Sequence, residues 1–596
     1  MADKKKFPNP EFFRAKTEMD WKAQAANLKE FGSIALDLIK ETDWKAFGRK
    51  QKEHFLDNMN RVAREAKTVA AMTCAERKDL LLNGEKHLGA LYRKGDMATV
   101  RREWRGVEST LVDFSGWLKV WGMLLATFSK DLIPALNTTF WYRWMISYMC
   151  CVSFMDKNTM GQRGNALKMS HLMTYDIFRY VAENLVFLAK CDKKNGNSSE
   201  LNKKVVLFDE MTMGQIMAGF PDLLGIPYQL MPVFLVSEID QLTCVPYIDA
   251  VESFGLPADC CPVPSSECGA LVIDALPHMG KCFISSSMPC DGSTMASSYM
   301  SRRFPDLPVF HLCFPVRYED EETVQMGAED IRACIKFIEE QTGAKWSWDA
   351  YFSAMKRFNE ETRYELEKWE VNKTAYPQII GPSYELFRKY NYEMDGGLDP
   401  RVMTTCEKVN KLLTKAYSSD SLAWPKDKMK YRAIIWSCPP HFYANFSNWL
   451  ANCWGIDVLV EMESLNFTKP LETEDKEEAL RDLARLYERM VMRRHTNGGY
   501  QNVVDELWRQ CEAWNANFVI MYQHVACKNM ATVQGILDEQ GRERGLHMIW
   551  VEHDLMDPRT VSRSSMRAKV TEYMRTVIGA SPVDPSLLEF EDDSCM

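Results

Sequence analysis

The chain has 596 residues and a formal net charge of -9, and 46% of its residues are hydrophobic. This length exceeds what one hydrophobic core supports, so several domains are expected. The acidic balance argues against a dedicated nucleic-acid-binding protein, because such a protein needs a basic face to displace counterions from phosphates.

The first 190 residues are predicted to be helical. The most apolar stretch, Trp141 to Met155, contains Arg143 and is shorter than the roughly 20 residues that a bilayer requires, so it predicts a buried helix and no membrane segment. The first eight residues are rich in charged side chains and lack the apolar region of a signal peptide. The protein is therefore expected in the cytoplasm. Apolar residues at helical spacing predict the other helices at Trp21–Ile39, Trp44–Thr68, Cys74–Arg93 and Trp104–Phe128.

Beyond this helical part, short apolar runs alternate with helical patterns. This alternation predicts an α/β fold with two parallel-sheet strand-helix domains joined by a helical segment. The polar stretch Cys191–Asn202 is the clearest predicted linker. The predicted division is 1–190 for the helical N-terminal extension, 191–203 for the linker, 204–318 for the first α/β domain, 319–425 for the helical connecting segment and 426–596 for the second α/β domain.

The individual elements follow from the same patterns. In the first α/β domain the sequence predicts a helix at Met211–Leu224. Two long connecting helices are predicted on either side of Thr342-Gly343. Strands are predicted at Lys204–Phe208, Leu271–Asp274, Cys282–Ser285, Val309–Phe314, Arg432–Trp436, Val458–Glu461, Phe518–Tyr522 and His547–Glu552.

Three distant cysteines, Cys290, Cys438 and Cys527, each fall in a short loop that follows a predicted strand. The carboxyl ends of parallel strands are where α/β folds gather ligands and catalytic groups. If the fold brings the three thiolates together, they can hold a 4Fe-4S cluster and leave one iron without a protein ligand. That open iron is a candidate site for a substrate.

The chain contains eighteen cysteines, and no pair has C-x-x-C spacing, which excludes the usual zinc ribbon and thioredoxin motifs. Most are expected to be reduced, buried packing residues. The vicinal pairs Cys150-Cys151 and Cys260-Cys261 are interpreted in the same way. Cys453, in a predicted helix, is the main alternative to Cys438 as second ligand.

Around these loops the sequence resembles the 2-hydroxyacyl-CoA dehydratase and class I benzoyl-CoA reductase family, whose subunits carry a cluster bound by three cysteines. The resemblance implies that Cys290, Cys438 and Cys527 are the first, second and third ligands of a 4Fe-4S cluster. The segments that carry it, in order, are Tyr247–Pro262, Met288–Gly292, Phe337–Gly343 with Trp348-Asp349, Ala526–Lys528 and Trp550–Arg559.

By this resemblance the chain is an iron-sulfur catalytic subunit of an oxygen-sensitive, heteromeric lyase. It would eliminate water from a 2-hydroxyacyl-CoA by a ketyl-radical mechanism, after one-electron activation by a separate ATP-dependent iron-sulfur protein and together with a sibling subunit. The sequence has no P-loop motif, which agrees with a separate ATP-dependent partner. A subunit of an ATP-dependent aromatic acyl-CoA reductase is the alternative. A non-catalytic scaffold or electron-relay subunit is the alternative from another class.

Three further residues are candidates for catalysis. Ser286 lies in a serine run before Cys290, where its hydroxyl group is placed to donate a hydrogen bond to a thioester carbonyl or a cluster sulfide; an ordinary polar turn is the alternative. Glu267 and His524 are candidate acid-base groups. A structural role beside the loop is an equally good interpretation of His524.

Overall fold

A computed structural model describes residues 10–83 and 106–588, apart from short internal gaps. The predicted helices Cys74–Arg93 and Trp104–Phe128 therefore fall partly outside the described residues. The gaps are at 210–213, 230, 288–289, 315–319, 379–381, 424–428, 444, 463–470, 472, 491–492 and 494–498.

The N-terminal region is helical, as predicted. The long helix α9 is buried along most of its length and packs against α5 and later helices. The predicted buried helix at Trp141–Met155 is instead divided into short helical turns, although it does bury Trp144, Tyr148 and Phe154. The helices are α1 Pro10–Arg14, α2 Trp21–Glu41, α3 Trp44–Ala71, α4 Cys74–Asn83, α5 Val107–Phe128, α6 Leu132–Trp141, α7 Trp144–Ser147, α8 Cys151–Asn158 and α9 Gly164–Cys191.

The polar segment 191–203 is packed into the protein. Its strand β2, Asn197–Ser199, pairs antiparallel with β1, Thr17–Met19. The side chain of Asn197 is fully buried and donates a hydrogen bond to the carbonyl oxygen of Ala189 over 2.9 Å. Asn202 donates in the same way to Cys191. The asparagines that give this segment its linker-like composition thus satisfy buried backbone groups.

The first α/β unit contains a four-stranded parallel sheet in the order β4-β3-β5-β6. The central strands β3 and β5 are buried, which is typical of a parallel sheet covered on both faces. The strands are β3 Val205–Phe208, β4 Leu224–Pro227, β5 Cys282–Ser287 and β6 Val309–Cys313, and the helices are α10 Phe234–Ile239, α11 Val245–Ser253, α12 Pro262–Val272 and α13 Asp291–Arg303.

Helices connect the two units. Helix α14 ends at Gly343, which has a φ of 76° and caps the helix in the left-handed conformation that glycine favours. The Ser347 hydroxyl group then accepts the hydrogen bond that begins α15. The predicted break between two long helices is therefore confirmed. These helices are α14 Glu321–Thr342, α15 Trp348–Lys373, α16 Pro382–Arg388 and α17 Pro400–Ser418.

The second α/β unit has another four-stranded parallel sheet, in the order β10-β9-β7-β8. One continuous hydrophobic core joins residues of this sheet to strands β3 and β5 of the first unit and to helix α9. The elements are β7 Tyr431–Trp436, α18 Phe446–Trp449, β8 Ile456–Glu461, α19 Lys476–Glu488, α20 Tyr500–Ala513, β9 Phe518–His524, α21 Lys528–Thr532, α22 Gln534–Glu543, β10 His547–His553 and α23 Arg563–Thr576.

Two predicted elements are wrong. Within the predicted helix Met211–Leu224, the described residues form a 3-10 turn at Gly214–Met217 and the start of β4. The predicted strand Leu271–Asp274 overlaps the end of helix α12. Every residue from Pro262 to Leu271 is buried, so this helix shows no polar face, and a short apolar run does not distinguish a buried helix from a strand. The α/β class with two parallel sheets and a helical N-terminal region is confirmed.

No helix in the described ranges has both the length and the apolar character needed to cross a bilayer.

A buried charge network joins the N-terminal helices to α17. Arg179, on α9, donates hydrogen bonds to Asp176 and to Asp399, the N-cap residue of α17. Burial raises the pKa of Asp399, but the nearby Arg179 and Arg401 outweigh it and hold the pKa below its usual value. For Asp395, burial and the charge of Asp399 raise the pKa to about 7.

The raised pKa of Asp395 predicts a stability that falls as the pH rises. Between the ordinary pKa near 4 and the folded-state value of about 7, the folded chain holds a proton that the unfolded chain has lost, so raising the pH favours unfolding. Asp395→Asn should keep the acceptor for the Asp399 amide and weaken this dependence. Urea unfolding at pH 5 and pH 8 measures the effect, with the exposed Asp306→Asn as the control. An unchanged pH dependence in the Asp395→Asn variant would contradict the assignment.

Candidate functional site

Cys290 lies directly beyond the carboxyl end of β5. It is the N-cap residue of α13, with extended backbone angles, and its side chain is half-buried. Because β5 pairs with β3 on one side and β6 on the other, Cys290 follows a central strand of the first sheet. This is the position in a parallel sheet where ligands commonly bind.

Cys438 and Cys527 lie at the corresponding edge of the second sheet. Cys438 follows β7 by two residues, and Cys527 follows β9 by three residues. Strands β7 and β9 are direct parallel neighbours, and Trp436 pairs with Met521 near their carboxyl ends. Both thiols are half-buried. The structure therefore brings these two predicted site residues to one edge of one sheet.

The segment 259–264 contacts both the Cys290 loop and the Cys527 loop. A Cβ atom built on Gly292 would lie 2.7 Å from Cγ of Pro264 and 3.7 Å from Cβ of Cys261. On the other side, the Lys528 ammonium group lies 3.3 Å from Oδ2 of Asp259. Both partners of this ion pair are largely exposed, so it adds little stability. It does show that Asp259 lies beside the Cys527 loop.

Further contacts hold the second sheet's loops against the first unit. The Arg559 guanidinium group lies 2.9 Å from Asp249 on α11. Arg563 donates a 2.6 Å hydrogen bond to the Phe442 carbonyl oxygen and another to Gln241. Gln241 and Asp249 of the first unit therefore contact Arg563 and Arg559 of the second unit.

The half-buried cysteines of the described residues all lie in this region: Cys260, Cys261, Cys290, Cys438 and Cys527. Burial raises the pKa of core thiols such as Cys282 to about 12 and keeps them protonated. The rival ligand Cys453 is fully buried inside a helical turn, while Cys438 lies in a loop. Cys260 and Cys261, predicted to be packing residues, are half-buried, and Cys261 packs against the hydrophobic core.

Over the described parts of the chain, no group of three or more His, Cys, Asp or Glu side chains could hold a metal ion. An iron-sulfur cubane requires a different arrangement of ligands, because each thiolate binds a different iron and the thiolates do not converge on one point. Three partly exposed thiols on separate strand-end loops are a donor set that suits a cluster and not a single ion.

Ser286 and Glu267 lie near the end of β5. Ser286 is 3% exposed, and its backbone N–H donates a 2.7 Å hydrogen bond to Asp209 at the end of β3. Its hydroxyl group has no hydrogen-bond partner among the described residues. Glu267 is buried within α12, one turn from Pro264, which contacts the Cys290 loop.

His524, the last residue of β9, is buried beside His553. The two rings pair in register, with centroids 5.6 Å apart. Burial lowers the pKa of His524 to about 4 and that of His553 well below its usual value, so both rings are neutral near pH 7. The His553 ring lies against the backbone of Cys438. The two histidine rings therefore pack beneath the loops that carry Cys438 and Cys527.

A family model for the D-component of 2-hydroxyglutaryl-CoA dehydratase matches residues 242–579. This region covers more than half of the chain and includes all three strand-end cysteines. The chain belongs to this family. A search of curated proteins found no match. The family match begins at residue 242, so the N-terminal helices and strands β3 and β4 lie outside it.

The sequence did not indicate the contacts that bring the loops together. Asp259 and Lys528 are separated by more than 260 residues, and no local pattern pairs them. One feature of the sequence could have drawn attention to Asp259. It directly precedes Cys260-Cys261 within a segment that carries the family resemblance. Asp209 was missed because it belongs to no motif.

Gly269 permits the close crossing of α11 and α12 on which this site depends. A Cβ atom at this position would lie 1.8 Å from the carbonyl oxygen of Tyr247 on α11. Gly269→Ala should force the helices apart and lower the free energy of unfolding by about 1–3 kcal/mol, as overpacking commonly does. The matched control is Gly122→Ala on α5, where nothing lies within 4 Å of the added atom. Equal urea midpoints for the two variants would contradict the close crossing.

Proposed function

We propose that the chain is the cluster-bearing catalytic subunit of a 2-hydroxyacyl-CoA dehydratase-like enzyme that eliminates water by a ketyl-radical route. The observation that carries the proposal is that segment 259–264 contacts both the Cys290 loop and the Cys527 loop, while Cys438 follows the strand beside β9, all within the region that matches the family. The division into five segments predicted from the sequence, 1–190 to 426–596, is part of the same proposal.

Cys290, Cys438 and Cys527 would hold a 4Fe-4S cluster. When bound, such a cluster supplies one electron of very negative potential to a thioester carbonyl, the chemistry that allows the neighbouring hydroxyl group to leave. The protein's contribution is to hold the thiols on ordered strand ends and to keep water away. The buried side chains of Ser286, His524 and His553 beside the loops support a dry site.

The other residues would act on the substrate. The Ser286 hydroxyl group would donate a hydrogen bond to the thioester oxygen, because its neighbour Ser285 already donates to Ser297 while Ser286 has no such partner among the described residues. Glu267 would transfer the proton of the acyl chain. The pKa of His524 is about 4, so its neutral ring is a weak base. It would act in acid-base chemistry only by accepting a proton from a substrate group in direct contact with the ring.

The family name specifies one component of a dehydratase, which supports a sibling subunit as partner. We further propose a separate ATP-dependent iron-sulfur activator, because the sequence lacks a P-loop motif of its own. The proposed location is the cytoplasm, and the proposed substrate is an acyl-CoA.

Anaerobic purification of the chain with its co-expressed neighbours tests this function. The proposal predicts about four irons and four sulfides per chain. It also predicts dehydration of a 2-hydroxyacyl-CoA over many turnovers with far less than one reductant per product. Electron consumption in proportion to product would indicate the reductase alternative. Absence of iron with full activity of the assembly would indicate a scaffold subunit.

A further inference from the structure

A groove lies on the N-terminal helical region, and all of its lining residues except Lys408 precede the segment that the family model matches. It runs between α5 and α9, and Lys408 on α17 reaches its side. Its volume of about 780 Å³ falls within the range of small-molecule sites. Its floor is predominantly apolar and includes Leu111, Val112, Met123 and Leu172.

Positive charge lines the apolar floor. Lys168 is neutralised by Glu108, whose carboxylate oxygen lies 2.7 Å away. Lys119 and Lys408 make no ion pair or hydrogen bond with the described residues, although both line the groove. In a chain with a net charge of -9, two lysines that have no anionic partner in the described part of the chain and lie beside one apolar groove favour an anionic ligand.

A buried histidine adds a polar group to the groove. His171 is 8% exposed, and its Nε2 lies 2.8 Å from Asp113. Its Nδ1 is buried and has no hydrogen-bond partner within the described ranges. The ring packs against Gly116, where an added Cβ atom would lie 2.4 Å from Nδ1.

We propose that this groove binds an aliphatic carboxylate, with its chain on the apolar floor and its head group between Lys119 and Lys408. The two lysines provide charge for one carboxylate, whereas a CoA ester carries several phosphate charges that they would not neutralise. This site is separate from the strand-end loops and does not depend on the proposed dehydratase function.

Calorimetric titration of the full chain with dodecanoate tests the proposal. One dodecanoate should bind per chain, and dodecyltrimethylammonium, which has the same chain and the opposite charge, should bind at least tenfold more weakly. The double variant Lys119→Ala, Lys408→Ala should weaken dodecanoate binding about tenfold or more. Lys411→Ala, an exposed lysine on the same helix α17 that does not line the groove, is the matched control.

A blocking variant separates binding in the groove from binding elsewhere. Ser115 lines the groove and is exposed, so Ser115→Trp should fill the groove without disturbing the core and should abolish dodecanoate binding. Equal binding of both detergents, or unchanged binding by Ser115→Trp, would overturn the proposal. A third outcome would also overturn the proposal: dodecanoate does not bind, and Ser115→Trp lowers the mass of the protein in solution. The occupant of the groove would then be another protein chain.

Discussion

Replacing Cys290 or Cys527 by serine is expected to remove most of the protein's iron and to abolish dehydration of a 2-hydroxyacyl-CoA. A serine hydroxyl is a much poorer ligand for iron than a thiolate. A cluster held by three cysteines therefore loses the protein ligand of one iron when one cysteine is replaced. Both thiols lie in half-buried loops, so neither substitution removes a core side chain. Far-ultraviolet circular dichroism should therefore be unchanged while the iron content falls.

The matched control for these variants is Cys313→Ser. Cys313 ends β6, the strand beside β5, and its thiol is exposed at the same edge of the first sheet. This variant should retain iron and activity. Cys438→Ser and Cys453→Ala decide the second ligand, and the half-buried loop position of Cys438 predicts iron loss for Cys438→Ser alone. Full iron content in either Cys290→Ser or Cys527→Ser would contradict the proposed ligands.

Arg179→Met is expected to lower stability by about 3–5 kcal/mol, because it leaves buried carboxylates without their partner. Arg179 is 6% exposed and donates to Asp176 over 2.9 Å and to Asp399. Arg401 would remain beside Asp399 and Glu183, so the loss should centre on the carboxylate of Asp176. The midpoint of urea unfolding measures the effect.

Arg332→Met is the control for this network. Arg332 pairs with Glu477 on the surface, where both side chains are about half exposed or more. Exposed ion pairs contribute only about 0–1 kcal/mol, so this variant should unfold almost as the parent does. Similar midpoints for Arg179→Met and Arg332→Met would show that the buried network does not fasten α9 to α17.

The sequence predicted those parts of the fold that depend on local chemistry. The strands Tyr431–Trp436 and Phe518–His524 are short apolar runs followed by polar residues, and they were found close to the predicted bounds. The break at Gly343 was also predicted, because glycine accepts the positive φ of a helix end. The buried helix Pro262–Val272 was misread in part as a strand, since it has no polar face to set a helical period.

The candidate site was predictable only one loop at a time. The sequence located the thiols of Cys290, Cys438 and Cys527 after strands, but it did not reveal how the two sheets approach each other. That approach depends on contacts between distant segments, such as Arg559 with Asp249. Burial of His524 was likewise invisible in the sequence, although burial is what lowers its pKa to about 4.

Cross-linking of Cys290 to Cys527 tests most directly whether the strand-end loops face one another. The iron-depleted, reduced protein would be treated with a short bifunctional thiol reagent, digested and analysed by mass spectrometry. The account predicts a linked peptide pair that contains both residues, and no link from the exposed Cys313 to Cys527. If both thiols carried the reagent singly and were never joined, the two loops would not share one centre, and the proposed cluster site would be contradicted.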